Sequence, residues 1–352
     1  MRVALDATPL TLSSGGLARY TAELARALAA EYERNDFFLL SDQRFTMPAG
    51  NRANLRSGRS PQSALDRKWW LWGLDREMDR LGCDLFHGTN FEVPYLARRP
   101  SVLTLHDLSP WINREWHHGA ERVRRRTPWL IGLGIATMIV TVSDAVRKQA
   151  IDYFGIAPGR IAAVPLAASE IFRPVHESVG RRYFLFAGTL EPRKNVPALI
   201  AAWRALRRDW DVDLILAGRR REDFPEFAPE PGLHVAGEVS DEDLAVLYSG
   251  AIAFVYPSLY EGFGLPVLEA MQCGACVITS RDPAIAEVVG GAAIRCDPPD
   301  LYEAMRAVLM NPEWAEEWGR RGLQRASEYS WARTARRTRE VYDEAQQRFA
   351  WC

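Results

Sequence analysis

The sequence predicts an α/β protein built from parallel sheets and divided into two domains. Short apolar runs that suit buried strands alternate with amphipathic stretches along the whole chain. This alternation is typical of sheets covered by helices on both faces. Glycine-containing loops join several of these strands to the helices that follow, and ligands of open α/β sheets bind in such loops. The length of 352 residues is sufficient for two domains.

Composition and charge exclude several classes of protein. The chain is 47% hydrophobic and 25% charged, with a formal net charge of -1. These values are typical of a globular protein, and a nucleic-acid-binding protein would carry a larger basic surplus. No apolar run reaches the length of a membrane span, and we expect no signal peptide. The 5 cysteines are an odd, scattered set, so we expect reduced thiols and a cytoplasmic location.

The opening residues form the first strand, loop and helix. Residues 1–6 are expected to form a strand, and a helix is expected from Leu17 to about Ala30. Between them, the backbone N–H groups of Gly15 and Gly16 can face a phosphate at the helix N-terminus. A plain tight turn explains the two glycines equally well. Residues 41–63 are polar and irregular, which indicates a loop.

Two segments of the first half are unusually rich in aromatic or basic residues. Residues 69–72 include three tryptophans on a helix expected to reach about Leu81. Such a cluster usually belongs to the core, and a surface facing an acceptor or a membrane is the alternative. Residues 114–126 predict a basic, aromatic helix that is either solvated or lies on anionic lipid. The positive surplus of residues 1–175 favours an anionic partner for this half.

A histidine follows one of the later strands of the first half. Strands are expected over residues 84–87 and 101–105, so His106 lies at a carboxyl end, where ligands bind. Position alone leaves a chemical and a structural role equally open. A strand over 137–142 precedes a helix capped by Ser143. Residues 165–174 form the expected linker between the domains.

The second half opens with a cationic loop between a strand and a helix. Residues 183–187 predict a buried strand, and a helix is expected over 196–207. The loop between them contains Arg193 and Lys194, and lysine is scarce in this arginine-rich chain. Two adjacent cations beside a helix N-terminus suit a polyanion such as a diphosphate. A charged loop without a ligand is the alternative interpretation.

A second loop of this kind carries two carboxylates. Residues 251–256 predict a buried parallel strand, and Pro266 suits the start of a helix. Glu261 lies in the loop between them, whereas Glu269 is expected in the first turn of the helix, where the dipole favours an ionised carboxylate. The backbone N–H groups of residues 262–265 can then donate to sugar oxygens, and an ionised glutamate can accept from neighbouring hydroxyls. A surface loop with a capping glutamate is the alternative.

The remaining elements and motifs call for ordinary structural explanations. Further strands are expected over 214–217, 233–235 and 275–278, and a last helix from about Trp331 to Phe349. Cys273 and Cys276 have redox spacing but run from a helix into a strand, which indicates structural cysteines. The acidic pairs Asp211/Asp213 and Asp241/Asp243 lie outside strand carboxyl ends. We therefore expect no metal site.

Taken together, these motifs resemble those of the retaining glycosyltransferases of family 4. Residues 261–269 resemble the family's motif of two glutamates separated by seven residues, and residues 188–195 resemble its phosphate-binding stretch. The segments 15–16, 106–107, 142–144 and 235–244 are also similar, so that the resemblance extends over nearly the whole chain.

The resemblance implies a GT-B fold, in which two Rossmann-like domains face each other across a cleft. The N-terminal, acceptor-side domain would comprise residues 1–170, and the C-terminal, nucleotide-sugar-binding domain residues 174–335. The terminal helix, about 336–352, would pack back on the first domain.

The resemblance also implies a role for individual residues. Arg193 and Lys194 would hold the donor diphosphate, and the N–H of Gly16 would help from the other domain. Glu261 would bind sugar hydroxyls, Glu269 the ribose and His106 the transferred sugar, while the base would lie near residues 236–239. The implied catalytic residues are His106, Arg193, Lys194 and Glu261. The implied donor-binding residues are Gly15, Gly16, Gly188, Thr189, Gly237, Glu238, Gly262, Phe263, Gly264, Leu265 and Glu269.

These roles predict chemistry without a metal or any other cofactor. The cations of Arg193 and Lys194 would neutralise the departing diphosphate, a part that a metal plays in other enzymes. Retention without an obvious enzyme nucleophile predicts attack on the same face of the sugar, with a diphosphate oxygen taking the acceptor proton. A covalent role for Glu261 is disfavoured because its implied role is to bind hydroxyls.

The leading hypothesis for function is a cytoplasmic hexosyltransferase that uses a nucleotide sugar. Residues 6–10 and 105–109 resemble those of bacterial mannosyltransferases of polysaccharide biosynthesis, so GDP-mannose is the preferred donor and UDP-sugars the alternative. The acceptor is expected to be a glycan or a lipid-linked precursor, with peripheral contact to the inner face of an anionic membrane. The alternatives are a sucrose-type synthase acting on a soluble acceptor, a UDP-sugar epimerase and a non-catalytic glycan-binding module.

Overall fold

The structure, a computed structural model, describes residues 1–12, 15–50, 52–117, 119–176 and 180–350. The chain folds into two compact units. Unit 1 comprises Met1–Leu166 together with Ser330–Cys352, and unit 2 comprises Ala167–Tyr329.

Unit 1 is built on a sheet of seven parallel strands. The strands are β1 (Arg2–Asp6), β2 (Asp36–Leu40), β3 (Leu55–Ser57), β4 (Leu85–Gly88), β5 (Ser101–Leu105), β6 (Met138–Thr141) and β7 (Ile161–Ala163). Their order in the sheet is β3-β2-β1-β4-β5-β6-β7. Because the chain leaves β1 toward β2 and later returns to β4 on its other side, the sheet is doubly wound, as predicted.

The helices of unit 1 come from both ends of the chain. They are α1 (Gly16–Glu31), α2 (Leu74–Leu81), α3 (Ser109–Ile112), α4 (Glu121–Gly132), α5 (Asp144–Phe154) and the last helix of the chain, Trp331–Ala350. The last helix packs against α1, β5 and β6. Its Tyr342 is fully buried and lies within 2.7 Å of His87 Nδ1 in the middle of the sheet. The C-terminal segment therefore completes the core of unit 1.

Unit 2 contains a second parallel sheet, of six strands. The strands are β8 (Tyr183–Ala187), β9 (Asp213–Ala217), β10 (Leu233–Gly237), β11 (Ala253–Tyr256), β12 (Val277–Thr279) and β13 (Ile294–Arg295). The helices are α6 (Val196–Leu206), α7 (Asp241–Gly250), α8 (Leu265–Gln272), α9 (Pro283–Val289), α10 (Leu301–Met310) and α11 (Pro312–Ala326). The last helix of the chain, which belongs to unit 1, is therefore α12. The strand order is β10-β9-β8-β11-β12-β13. Strands β8 and β11 are buried along their whole length, as their continuous apolar sequences require in a parallel sheet.

Three segments differ from the sequence-based expectation. Residues 41–63 contain the edge strand β3, which is too short for its alternation to be visible. The tryptophan cluster begins with a π-helix, Trp69–Gly73, in which Trp69 is buried whereas Trp72 is 44% exposed. The basic stretch 114–126 is not one helix, because a short 3-10 turn, Arg114–Trp116, precedes α4. His118 lies outside the described residues.

Within the described residues, we find no helix that is both long and apolar enough to cross a membrane.

Candidate functional site

The main cluster of predicted site residues lies in unit 2, at the carboxyl ends of β8 and β11. These strands are neighbours at the centre of the sheet, although the chain forms β9 and β10 between them. From β8 the chain first adds β9 and β10 on one side of the sheet and then β11 to β13 on the other, so the strand order reverses between β8 and β11. Open α/β sheets bind ligands at this position. The loop after β8 carries Arg193 and Lys194, and the loop after β11 carries Glu261.

Arg193, Lys194 and Glu261 form one buried ionic cluster. Lys194 donates from Nζ to Oε1 of Glu261 over 2.5 Å, and Arg193 donates from Nη1 to Oε2 over 3.1 Å. Arg193 also donates to the carbonyl of Tyr260 over 2.8 Å, which connects the two loops directly. The structure therefore brings together residues that the sequence separates by more than 60 positions.

The electrostatics of this cluster keep Glu261 ionised. Burial raises the pKa of Glu261, but the charges of Lys194 and Arg193 outweigh burial and hold it at about 2. Burial lowers the pKa of Lys194, as does the charge of Arg193, while Glu261 opposes both effects. An ionised carboxylate held by two cations can accept further hydrogen bonds but is a weak nucleophile.

Several residues that support this cluster were not singled out from the sequence. Tyr256, the last residue of β11, accepts from Lys194 Nζ over 2.6 Å, and its ring stacks on Phe186. Ser258 donates to Oε1 of Glu261 over 2.5 Å. The backbone N–H of Glu261 donates to Asp282 over 3.2 Å, and burial raises the pKa of Asp282 to about 6. The one sequence signal was that Tyr256 and Ser258 flank the end of a predicted buried strand.

A second carboxylate links Arg193 to a further arginine. Glu191 accepts from Arg193 Nη2 over 2.8 Å through Oε1, and from Arg221 Nη1 over 3.1 Å through Oε2. Arg221 in turn pairs with Asp223. The positive charges of Arg193 and Lys194 are thus matched by Glu191 and Glu261 within the protein.

The loop from Gly262 to Leu265 brings backbone close to this cluster. Gly264 has a φ of 94° and precedes α8, and an added Cβ there would lie 3.3 Å from Ile285. Among the described residues, the N–H groups of Phe263 and Gly264 have no hydrogen-bond partner. Their role toward a ligand stays a prediction, and the side chain of Phe263 is itself buried and packs against Tyr329.

The predicted position of Glu269 in the first turn of its helix is wrong. Helix α8 begins at Leu265, one residue before Pro266, so Glu269 lies in the second turn and not in the first. The effect of the helix dipole on its carboxylate is correspondingly smaller. Glu269 is 2% exposed and accepts from the hydroxyl of Tyr248 over 3.3 Å.

The remaining donor-binding candidates of unit 2 also lie at strand carboxyl ends. Gly188 and Thr189 directly follow β8, and Gly237 and Glu238 lie at the end of β10. Between them, Gly218 has a φ of 128°, and a Cβ there would lie 2.1 Å from the carbonyl oxygen of Gly188. This close approach brings the ends of β8 and β9 together, and the N–H of Gly218 donates to the carbonyl of Gly237 at the end of β10 over 2.6 Å.

The candidates of unit 1 lie at the corresponding edge of the other sheet. Gly15 and Gly16 form the start of α1, and Gly15 has a φ of 113°. His106 follows β5, and its Nε2 lies 2.7 Å from the carbonyl oxygen of Thr89. A carbonyl oxygen can only accept, so Nε2 carries the proton. Burial lowers the pKa of His106, and in the neutral ring Nδ1 is then left as an acceptor. The ring of Tyr20 packs edge-on against His106 at 4.8 Å.

The motifs interpreted as structural have structural partners. Cys273 and Cys276 are buried free thiols, and burial raises the pKa of each to about 12. Asp213 pairs with Arg207 and His234, and Ser240 rather than Asp241 caps α7. Among the described residues, no group of three or more histidine, cysteine, aspartate or glutamate side chains could hold a metal ion.

The basic segment around α4 is partly neutralised within unit 1. Arg122 makes a bidentate pair with Glu92 over 2.9 and 3.0 Å, and Arg124 pairs with Glu121. Arg126 lies over the ring of Tyr95 at 5.1 Å. Three arginines of this segment therefore have partners within unit 1.

Two family models together match most of the chain. The model described as Glycosyltransferase Family 4 matches residues 14–169. The model described as Glycosyl transferases group 1 matches residues 168–325.

Named proteins and solved structures are also similar to the chain. It is 32% identical to the O-antigen chain mannosyltransferase B of Escherichia coli, with 97% of this chain and 99% of that protein covered. It is 33% identical to the MMP alpha-(1->4)-mannosyltransferase of Mycolicibacterium hassiacum, with 68% of this chain and 60% of that protein covered. The sucrose-phosphate synthase of Thermosynechococcus elongatus matches with a TM-score of 0.75 over 97% of this chain and 98% of that one. At 20% identity this last match bears on the fold alone.

Proposed function

The chain belongs to glycosyltransferase family 4 and is a glycosyltransferase with the GT-B fold, and from this premise we propose that it transfers mannose from GDP-mannose to a glycan or lipid-linked acceptor with retention of configuration. The observation that carries the proposal is the buried cluster of Arg193, Lys194 and Glu261 at the centre of the unit 2 sheet. It provides cations and a carboxylate at one place, which a sugar diphosphate requires.

The proposed chemistry depends on the charge that develops in the transition state. When the anomeric C–O bond breaks, negative charge grows on the departing diphosphate and positive charge on the sugar. Arg193 and Lys194 would stabilise the diphosphate, and fixed cations in a site that excludes water can contribute several kcal/mol. No metal would then be required at this step. The parts assigned to Gly16 and His106 stay predictions.

The arrangement around Glu261 favours attack from the same face over a covalent intermediate. Oε1 is held by Lys194 and Ser258, and Oε2 by Arg193. A carboxylate with three donors and a pKa of about 2 would have to break these bonds in order to attack. The proton of the acceptor would pass to a diphosphate oxygen. Glu261 would remain a binding residue for sugar hydroxyls, as predicted.

The choice of donor rests on the relatives. Two of the proteins similar to this chain are named as mannosyltransferases, one of them acting on an O-antigen chain. GDP-mannose and a growing polysaccharide are therefore the proposed donor and acceptor, with UDP-sugars as the alternative donors. The backbone around Gly237 and Glu238, at the end of β10, would contact the base.

A ligand panel tests the donor. Thermal unfolding is measured with GDP, UDP and ADP, each without and with Mg²⁺. A ligand present at 100 times its Kd should stabilise the protein by about 2.7 kcal/mol. We expect GDP alone to give this shift, equally well without Mg²⁺. A shift with UDP only, or one that requires Mg²⁺, would contradict the proposed donor or the proposed metal independence. The anomeric configuration of the product, read by ¹H NMR, tests retention.

A further inference from the structure

A double cavity lies at one side of the unit 1 sheet. It is formed where β2 and the edge strand β3 end and the π-helix begins, at the same carboxyl edge of the sheet as His106. One part has a volume of about 350 Å³ and the other of about 300 Å³, and both are lined by Ser60 and Pro61. Each part is large enough for a monosaccharide or a phosphate group.

Close packing surrounds the part of the cavity that is lined by Gly73. A Cβ on Gly73 would lie 2.0 Å from the carbonyl oxygen of Asp66, and one on Gly58 would lie 2.2 Å from Leu40. At Gly73 the obstacle is backbone, so glycine is required there for the two segments to approach each other, whereas at Gly58 it is the end of the Leu40 side chain, which can move. The close approach of Gly73 to Asp66 defines one wall of the cavity.

The cavity carries more cations than the protein itself neutralises. Its acidic residues Asp66 and Glu77 are already paired, with Arg76 over 3.0 Å and with Arg80 over 2.7 Å. The guanidinium groups that remain belong to Arg44, Arg59 and Arg67, and among the described residues none of them makes an ion pair. Against these three, Asp42 is the one lining carboxylate without a cationic partner in the described part of the chain.

An unsatisfied donor lies in the same wall. Trp69 is 3% exposed, yet its indole Nε1 has no hydrogen-bond partner among the described residues. A buried indole N–H normally finds an acceptor. Trp69 is also the first residue of the π-helix, and such irregular turns occur frequently at functional sites.

We propose that this double cavity, lined by Arg44, Arg59, Arg67 and Trp69, binds a phosphate-bearing group of the acceptor. Guanidinium groups match phosphate oxygens in a bidentate geometry, and a hydroxyl or phosphate oxygen would accept from the indole N–H. The phosphate can belong to a phosphorylated saccharide or to an isoprenoid diphosphate. That the bound phosphate belongs to the acceptor rests on the proposed function, whereas the anion site itself does not depend on it.

Calorimetric titration of the full chain tests the proposal. The probes are mannose 6-phosphate, mannose, farnesyl diphosphate in detergent micelles and inorganic phosphate. We expect one of the two organic phosphates to bind at least tenfold more tightly than mannose and than inorganic phosphate. That affinity should fall at least tenfold in Arg59→Gln/Arg67→Gln, and Trp69→Phe should weaken it as well. Arg56→Gln is the matched control, because Arg56 is exposed on β3 but does not line the cavity.

Failure of the anion site can be distinguished from failure of the donor site. The proposal is wrong if neither organic phosphate binds, if inorganic phosphate binds equally well, or if the double arginine variant binds as the wild type does. GDP binding is measured on the same samples, with Lys194→Gln as a reference. Loss of GDP binding in Lys194→Gln with the phosphate probe still bound shows two independent sites. A wild type that binds the probe but no nucleotide would overturn the proposed function alone.

Discussion

Lys194 donates a hydrogen bond of 2.5 Å from Nζ to Oε1 of Glu261, so the cation expected to hold the donor is paired with a carboxylate of the same unit. A diphosphate that binds here competes with Glu261 for Lys194 and Arg193. The pairing keeps both cations in position before the ligand arrives, and it lowers the net charge that attracts the ligand.

The first prediction concerns this competition. Glu261→Gln removes one negative charge beside the two cations, so GDP should bind roughly tenfold more tightly, equivalent to about 1.4 kcal/mol. Sugar transfer should fall because the carboxylate that binds the sugar is lost. Calorimetry with GDP and an assay of transfer check the two effects. Glu222→Gln, at an exposed glutamate of the same unit, should change neither, and weaker GDP binding in Glu261→Gln would contradict the idea.

The second prediction concerns Tyr256, which the sequence alone did not single out. Tyr256→Phe removes the hydroxyl that accepts from Lys194 but keeps the ring stacked between Phe186 and Phe254. We expect GDP binding to weaken by roughly 1 kcal/mol, the usual contribution of one hydrogen bond. Tyr183→Phe loses a comparable bond, to the carbonyl of Leu247, and should leave GDP binding intact. Equal effects of the two variants on GDP affinity would rule out a positioning role for Tyr256.

The third prediction concerns the tautomer of His106. Since Nε2 donates to Thr89 and burial lowers the pKa of the ring, the neutral Nε2–H form should be present at pH 7. Its Nδ1 is then the atom that accepts from a ligand. The side-chain amide of asparagine reaches the position of Nδ1, where its oxygen can accept, whereas the amide of glutamine reaches the position of Nε2. His106→Asn should therefore retain more transfer than His106→Gln. ¹⁵N NMR of the imidazole reports the tautomer directly, and protonated Nδ1 at pH 7 would refute the assignment.

The fourth prediction concerns the pH dependence of stability. Burial raises the pKa of Asp6 to about 7, far above the value of about 3.9 in an unfolded chain. Between these values the folded state holds a proton that the unfolded state has lost, so stability falls as the pH rises from about 4 to 7. Asp6→Asn should remove much of this slope, which urea unfolding at pH 5 and pH 8 measures. Asp152→Asn, at an exposed aspartate, should keep the wild-type slope. A wild-type slope in Asp6→Asn would show that Asp6 does not titrate in this range.

The fifth prediction concerns Gly218. Its φ of 128° is unfavourable for other residues, and a Cβ would lie 2.1 Å from the backbone oxygen of Gly188. Gly218→Ala must therefore displace the end of β8, with a cost above the roughly 1–2 kcal/mol of a left-handed alanine. Gly237→Ala serves as the comparison, because Gly237 has a φ of 68° with open space around it. Similar unfolding temperatures for the two variants would show that the strands can separate without cost.

Local sequence patterns were sufficient for most elements of the fold. Continuous apolar runs located β8 and β11, and Ser143 located the start of α5, where its hydroxyl accepts from the N–H of Val146. Patterns failed where neighbours in space decide the outcome. The edge strand β3 is only three residues long and forms because β2 provides hydrogen-bonding partners. The π-helix at Trp69 likewise has no periodic signal in the sequence.

The sequence by itself determined which residues reach the carboxyl ends of the strands, because periodicity, glycines and proline act within a few residues. It identified Arg193, Lys194 and Glu261 as candidates in two separate loops. Only the tertiary structure decided that these residues neutralise one another, that Tyr256, Ser258 and Asp282 hold them in place, and that Glu269 belongs to the second turn of α8. Pairing and burial depend on contacts between distant parts of the chain, and the free energy of a charge depends on those contacts rather than on its neighbours in sequence.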